Sequence, residues 1–116
     1  MGNVQLMLDA QAALQERLPL FKKGARPNTH ILVDNIDMAI VELAEAKQEL
    51  PWKKHKTEYG REMTEEERVA AVRELVDVLH FVWNAFLAAG VNDENELLNL
   101  YFAKHKVNHE RVDNGY

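Results

Sequence analysis

Two acidic tetrads constrain this chain more than any other feature. They are Glu42-Leu43-Ala44-Glu45, with Glu49 one turn further on, and Glu74-Leu75-Val76-Asp77. On a helix, residues three apart lie within about 60° of each other, so each tetrad aims two acids at one patch of space. Two such helices side by side would gather four carboxylates, and that many like charges repel strongly unless a multivalent cation lies among them. All-oxygen ligation suits Mg²⁺, Mn²⁺ or Ca²⁺. The tetrads therefore point to a divalent-metal site carried on helices. The plainer alternative is a pair of solvated helix faces, where acids at this spacing are common.

A length of 116 residues makes residues 1–116 a single domain, near the size at which one core becomes adequate. The net charge of -5 argues against general nucleic-acid affinity, because counterion release needs clustered Lys and Arg. The absence of Cys excludes a disulfide framework and thiol chemistry, and suits a reducing cytosol. No basic start with an apolar run is present, nor any apolar run near the length of a membrane span. The expectation is a cytoplasmic protein with no membrane partner.

Apolar periodicity predicts four helices. Val4, Met7, Leu8, Leu14 and Leu18 set the first, over 4–18, with Pro19 ending it; Gln11 interrupts the stripe where an apolar residue belongs and needs a partner. Residues 20–33 read as a loop with a short extended piece at 31–33. Asp34 is the expected N-cap of the second helix, which carries Ile36, Ala39, Ile40, Leu43 and Ala46 inward and closes at Pro51. A basic loop follows, Trp52-Lys53-Lys54-His55-Lys56. Thr64 and Glu67 form a capping box for the third helix, with Val72, Leu75, Leu79, Val82 and Phe86 as its core stripe and Gly90 as its stop. The fourth helix starts at Asp93, with Glu96 as capping partner, and runs through Val112. Along it Tyr101, Lys104, Asn108 and Arg111 recur at steps of three and four, a stripe matched to polyphosphate. Short connections predict a four-helix bundle, and so short a chain would leave helix faces uncovered if alone, which predicts a homodimer or homotetramer.

Carboxylates with Lys and Arg arriving from a loop and a terminal helix compose a metal-dependent phosphoryl or nucleotidyl transfer site. No Walker A loop, G-x-G-x-x-G, nucleophile elbow or H-E-x-x-H competes with that reading. The order E-x-x-E, twenty-eight residues, E-x-x-D resembles the signature of the all-alpha NTP pyrophosphohydrolases, the MazG and dimeric dUTPase superfamily. The stretches from Glu42 to Lys56, from Val72 to Phe81, and Tyr101-x-x-Lys104-x-x-x-Asn108-x-x-Arg111-x-x-x-Gly115-Tyr116 resemble the dimeric dUTPase branch most. Met7-Leu8-x-x-Gln11-x-x-Leu14-Gln15 is similar to its opening helix.

The resemblance implies an all-α bundle completed by oligomerisation, hydrolysing a nucleoside triphosphate to monophosphate and pyrophosphate with Mg²⁺, or with Mn²⁺ in its place. Glu42, Glu45, Glu74 and Asp77 would bind the metal, with Glu45 or Glu49 activating water. Phe81 would lie against the deoxyribose, and Gln11, Gln15 and Asn84 would read the base. Lys53, Lys56, Lys104, Asn108, Arg111 and Tyr116 would hold phosphates, and Trp52 would close the pocket. Gln15, His105 and Val112 depart from the family pattern at positions that touch substrate reading, so dUTP is the first expected substrate, with dCTP or another canonical or damaged dNTP as the alternative. From a different class, the same composition would suit a non-catalytic helical interaction protein.

Overall fold

The computed structural model describes residues 2–115, and among these every regular element is helical: α1 (Asn3–Gln15), α2 (Asn28–Gln48), α3 (Glu65–Ala88) and α4 (Glu94–Asp113). The all-α class and the four helices match the sequence reading.

The second helix departs from it. α2 starts at Asn28 behind Pro27, so residues 31–33 are helical and Asp34 is interior. Proline supplies a helix-compatible φ of -54° at the boundary and has no N–H to lose there. Packing then fixes the early turns, since Ile31 and Asn35, one turn apart, are both buried. Asp34 pairs instead with Arg26 at 2.7 Å. α1 also ends earlier than Pro19 requires, and residues after Gln15 continue as turns.

α3 opens on the expected reciprocal cap, the Thr64 hydroxyl accepting from Glu67 N and the Glu67 carboxylate accepting from Thr64 N. Arg61 adds a bidentate pair to the same carboxylate. Gly90, at φ +87°, takes the left-handed conformation that stops the helix. At α4 the Asp93 side chain accepts from Asn95 N, and Glu96 is not its partner. Glu94 reaches across to α1, its carboxylate accepting from Gln5 N while the Gln5 side-chain carbonyl accepts from Glu94 N. Each helix start is thus closed by the other. A Cβ at Gly2 would meet the Glu94 carboxylate, which would have to shift within that contact to make room.

The Asn35 side chain meets Asn84, and Glu42 lies beside Glu74, so α2 and α3 run antiparallel along most of their length. α1 lies on α3, and the start of α4 docks against α1. The apolar core sits at that end: Leu8, Val91 and Leu97, with Val4, Trp83, Phe86 and Leu87 packed against them. After Leu97 every described residue of α4 is exposed. The radius of gyration is 17.4 Å, against about 13 Å expected for a compact domain of this size.

Openness overturns much of the expected core stripes, although Leu8 and Ala46 are buried as expected. Ile36, Ile40 and Leu43 on α2 and Val72, Leu75 and Leu79 on α3 are all exposed, as are Met7 and Leu14 on α1. The face that α1 buries is Leu8, Gln11 and Gln15, and the fully enclosed positions of α2 and α3 include Asn35 and Asn84. Amides, rather than aliphatic side chains, fill much of the joint between these three helices.

Candidate metal and nucleotide site

Glu42 and Glu45 on α2 and Glu74 on α3 offer one carboxylate oxygen each, all within 4.8 Å of one another. Antiparallel packing creates this meeting, since it sets the middle of α2 against the middle of α3. Glu42 and Glu74 are half-buried and Glu45 is exposed, so the group opens to water on the Glu45 side. The neighbouring Glu74 carboxylate, then burial, then Glu45 push the Glu42 carboxyl up to about 7. Glu74 Oε2 is buried with no hydrogen-bond partner. A buried acceptor without a donor and a carboxyl that resists ionisation are what a hard divalent cation would relieve. The donor set therefore fits such an ion.

Asp77 is exposed and stands outside that group of three, one turn along α3 from Glu74. Glu49 is the C-cap residue of α2, exposed and also outside it. Lys53 and Lys56 line a concavity beside the end of α2 together with Trp52, Tyr59 and Gln48. Trp52 lies under Lys47 and Lys53, whose ammonium groups are 4.2 and 5.8 Å from the ring centroid, and its indole N–H donates to Gln48 at 3.1 Å.

A groove of about 400 Å³ runs between α2 and α3, walled by Ile36, Ala39, Leu43, Phe81, Val82 and others, with Asn35 as its single polar residue. Phe81, expected against a sugar, is in this wall. Gln11, Asn84 and Asn35 form a buried chain of amides: Gln11 Nε2 donates to Asn84 Oδ1 at 2.8 Å, and Asn84 Nδ2 donates to Asn35 Oδ1 at 3.2 Å. The partner that Gln11 required is therefore Asn84. Gln15 is buried one turn later and borders a different cavity, with Phe21, Lys23, Ile31 and Asn92.

On α4, Lys104 and Asn108 line a cavity with Tyr101, His105 and Phe86, while Arg111 stands in the last turn. α4 has no helix packing against α2, so one chain does not bring this stripe to the acids. Tyr116 lies outside the described residues. Sequence reasoning missed Asn35 altogether. The available signal was an amide in the apolar register between Ile31 and Ala39, the same anomaly that drew attention to Gln11.

A family model described as dUTPase matches residues 3–95, which takes in both acidic tetrads and stops before the Tyr101 stripe. Among curated proteins, a dCTP pyrophosphatase of Enterobacteria phage T4 is 44% identical over 72 residues, covering 56% of this chain and 42% of that protein. A dCTP pyrophosphatase of Enterobacteria phage LZ5 is 36% identical over 70 residues, 57% of this chain and 40% of that protein. A DNA replication protein of phage T4 is 40% identical over 62 residues, 47% of this chain and 16% of that protein. The chain thus spans less than half the length of the curated relatives it matches. No solved structure matches it.

Proposed function

The chain belongs to the dUTPase family, and from that premise we propose that it is a divalent-metal-dependent pyrophosphohydrolase that cleaves a pyrimidine deoxynucleoside triphosphate to the monophosphate and pyrophosphate. The observation that carries the reading is the meeting of Glu42, Glu45 and Glu74, with an unpartnered buried oxygen on Glu74. Those three residues would hold Mg²⁺ or Mn²⁺, with Asp77 turning in from the next turn of α3. Bound there, the metal would neutralise phosphate charge and polarise the phosphoryl oxygens.

The chain's own groups then divide the work. A water oxygen attacks the α-phosphorus, the bond from that phosphorus to the bridging oxygen breaks, and pyrophosphate leaves. Glu45, on the open side of the acids, takes the water's proton; Glu49 at the end of α2 is the second base to test. Lys53 and Lys56 hold the outer phosphates, and Lys104, Asn108 and Arg111 add to that set when supplied by a second copy. Phe81 packs against the deoxyribose, Trp52 covers the phosphate end, and Gln11, Gln15 and Asn84 meet the base. Pairing of two or four copies through the exposed apolar face of α2 and α3 would bury Ile36, Ile40, Leu75 and Leu79. Light scattering tests this, and a monomeric mass opposes it. No described helix is long and apolar enough to cross a membrane, and a cytoplasmic setting is the one in which this substrate pool is met.

dUTP is the first substrate proposed, from the family description. dCTP is the second, because two phage relatives are named for it. Product analysis with Mg²⁺ over dUTP, dCTP, dTTP, dATP, dGTP and UTP separates them. Hydrolysis of dUTP or dCTP to monophosphate and pyrophosphate is expected, whereas intact nucleotides throughout would oppose the assignment.

A further inference from the structure

His105 and His109 stand one turn apart on the exposed stretch of α4, and their Nε2 atoms are 3.0 Å from each other. One of those nitrogens must carry the proton of the hydrogen bond and the other accept it. The pair thus holds a proton where two imidazole lone pairs could instead hold a cation. The ring centroids are 4.5 Å apart and the rings are inclined by 74°. Two imidazoles pointing straight at each other across that contact would set their centroids further apart, so the two Nε2 directions are not collinear. Tyr101, one turn earlier, lies within 9° of parallel to His105 at 6.1 Å, and Phe102 meets it at a right angle at 6.3 Å. Aromatic neighbours on the same helix therefore restrict the His105 ring.

We infer that His105 and His109 form a second metal site, bidentate through their Nε2 atoms, for a divalent transition cation of the Cu²⁺ or Ni²⁺ kind. Imidazole nitrogen suits these ions, whereas the oxygens of Glu42, Glu45 and Glu74 suit a harder one. With metal–nitrogen bonds of about 2.0–2.1 Å, two ligands at a right angle sit about 2.9 Å apart, and two at a tetrahedral angle about 3.3–3.4 Å apart. The observed 3.0 Å is close to the right-angle value, which belongs to neighbouring positions of a tetragonal or octahedral shell. Among the described residues no other His, Asp or Glu completes a group of three with this pair, so water would fill the remaining positions. Helix spacing supplies the chelation. Once one imidazole has bound, the backbone holds the other within reach, and the second bond forms as an intramolecular step. The two sites are separate, since the acidic group contains no His and α4 does not pack against α2, which carries two of its acids.

The test titrates the full chain with Cu²⁺ and with Ni²⁺ near neutral pH in millimolar Mg²⁺, by calorimetry, and reads the Cu²⁺ ligands by electron paramagnetic resonance. One tight Cu²⁺ per chain is expected, its spectrum split by two nitrogens. His105→Ala and His109→Ala should each weaken binding by about tenfold or more and remove the two-nitrogen pattern, because either leaves a single ligand. Alanine is the strongest helix former, so α4 keeps its helix in both variants, which circular dichroism checks. A rearranged variant, Lys106→His with His109→Ala, keeps the number of His but sets the two side by side in sequence, where they do not face each other. It should bind as weakly as the single variants. Glu74→Gln should leave the two-nitrogen spectrum and its affinity unchanged. His30, His55 and His80 have no other His within a turn of chain, so binding scattered over single imidazoles would survive the rearrangement. Equal affinity in the rearranged variant would therefore mark an adventitious ion only and overturn the inference. Loss of the Cu²⁺ signal in Glu74→Gln would also overturn it, by placing the ion among the acids, as would a wild type that shows no nitrogen ligation. None of these readings uses nucleotide hydrolysis, so the proposed reaction stands or falls separately.

Discussion

Glu42 on α2 and Glu74 on α3 stand so close that the Glu74 carboxylate is the chief cause of a Glu42 carboxyl held at about 7, well above its ordinary value of 4.5. Between those two values the folded protein binds more proton than the unfolded chain. The stabilising contribution is complete below 4.5 and is lost as pH rises through 7. Metal-free protein should therefore melt at progressively lower temperature from about pH 5 to pH 8. A divalent cation should reverse the trend, because it binds only the folded arrangement of carboxylates. Thermal melts followed by circular dichroism, with EDTA or with Mg²⁺, read both effects; a flat profile in EDTA would contradict the assignment.

Charge placement ranks the acids. Glu74 is half-buried with one oxygen unpartnered, whereas Asp77 is exposed and outside the group of three. Glu74→Gln should lower metal affinity and activity by about 100-fold or more, beyond the range typical of outer-shell partners. Asp77→Asn should cost less in affinity for the ion alone. Isothermal titration with Mn²⁺ on both variants decides the order, and equal losses would mean that Asp77 is already a full ligand.

The opposite sign of pH dependence belongs to the start of α3. Paired with the Arg61 guanidinium and the Thr64 backbone N–H, the Glu67 carboxyl is lowered to about 2. Its contribution is present above the ordinary carboxylate value and disappears as pH falls from there toward 2. Arg61→Ala should remove part of this acid-side slope and leave the neutral-to-alkaline trend of Glu42 in place. Melting from about pH 2.5 to 5 on the two proteins tests that separation.

Docking of α4 depends on the exchange between Gln5 and Glu94, reinforced by Gln5 Nε2 donating to Asn92 O at 3.0 Å. Beyond Leu97 the helix has no buried residue to hold it. Glu94→Ala removes a charged acceptor from the first turn of α1, at a cost of about 1–2 kcal/mol. Limited proteolysis should then cut near Asn92 well before the α2 and α3 pair is touched. Unchanged cleavage would place the attachment in Leu97 instead.

How much of this was legible in the sequence varies by the kind of signal. Thr64 and Glu67 act through bonds three residues apart, so α3 starts where the local pattern says. The acid spacing likewise needs only helix geometry and one antiparallel neighbour, and three of the four tetrad acids meet. The start of α2 was hidden because Asp34 is a good cap by itself, while the decisive terms, Pro27 behind the helix and Ile31 and Asn35 buried in it, depend on tertiary packing. Periodicity identifies an apolar stripe but not what covers it. Ile40 and Leu75 obey the helical period and are exposed, while Gln11, Asn35 and Asn84 break it and are buried. Hydrogen bonds between residues seventy-three and forty-nine positions apart leave no local trace beyond an amide in the wrong register.

Trp52 would report directly on the phosphate end proposed for its loop. Its ring is covered by Lys47 at 4.2 Å and approached by Lys53 at 5.8 Å, and Lys53 and Lys56 share its concavity. An ammonium over an indole face perturbs the ring's emission, and a phosphate that draws Lys53 away would change that perturbation. Trp83, the other tryptophan, packs on Phe86 in the core at the far end of α3 and should not respond. Pyrophosphate with Mg²⁺ should therefore alter tryptophan fluorescence in the wild type and in Trp83→Phe, but not in Trp52→Phe. Lys53→Ala should weaken the response roughly tenfold in concentration, the loss expected of one charge-assisted contact. A signal that survives Trp52→Phe would move the phosphate end away from this loop and toward the α4 stripe.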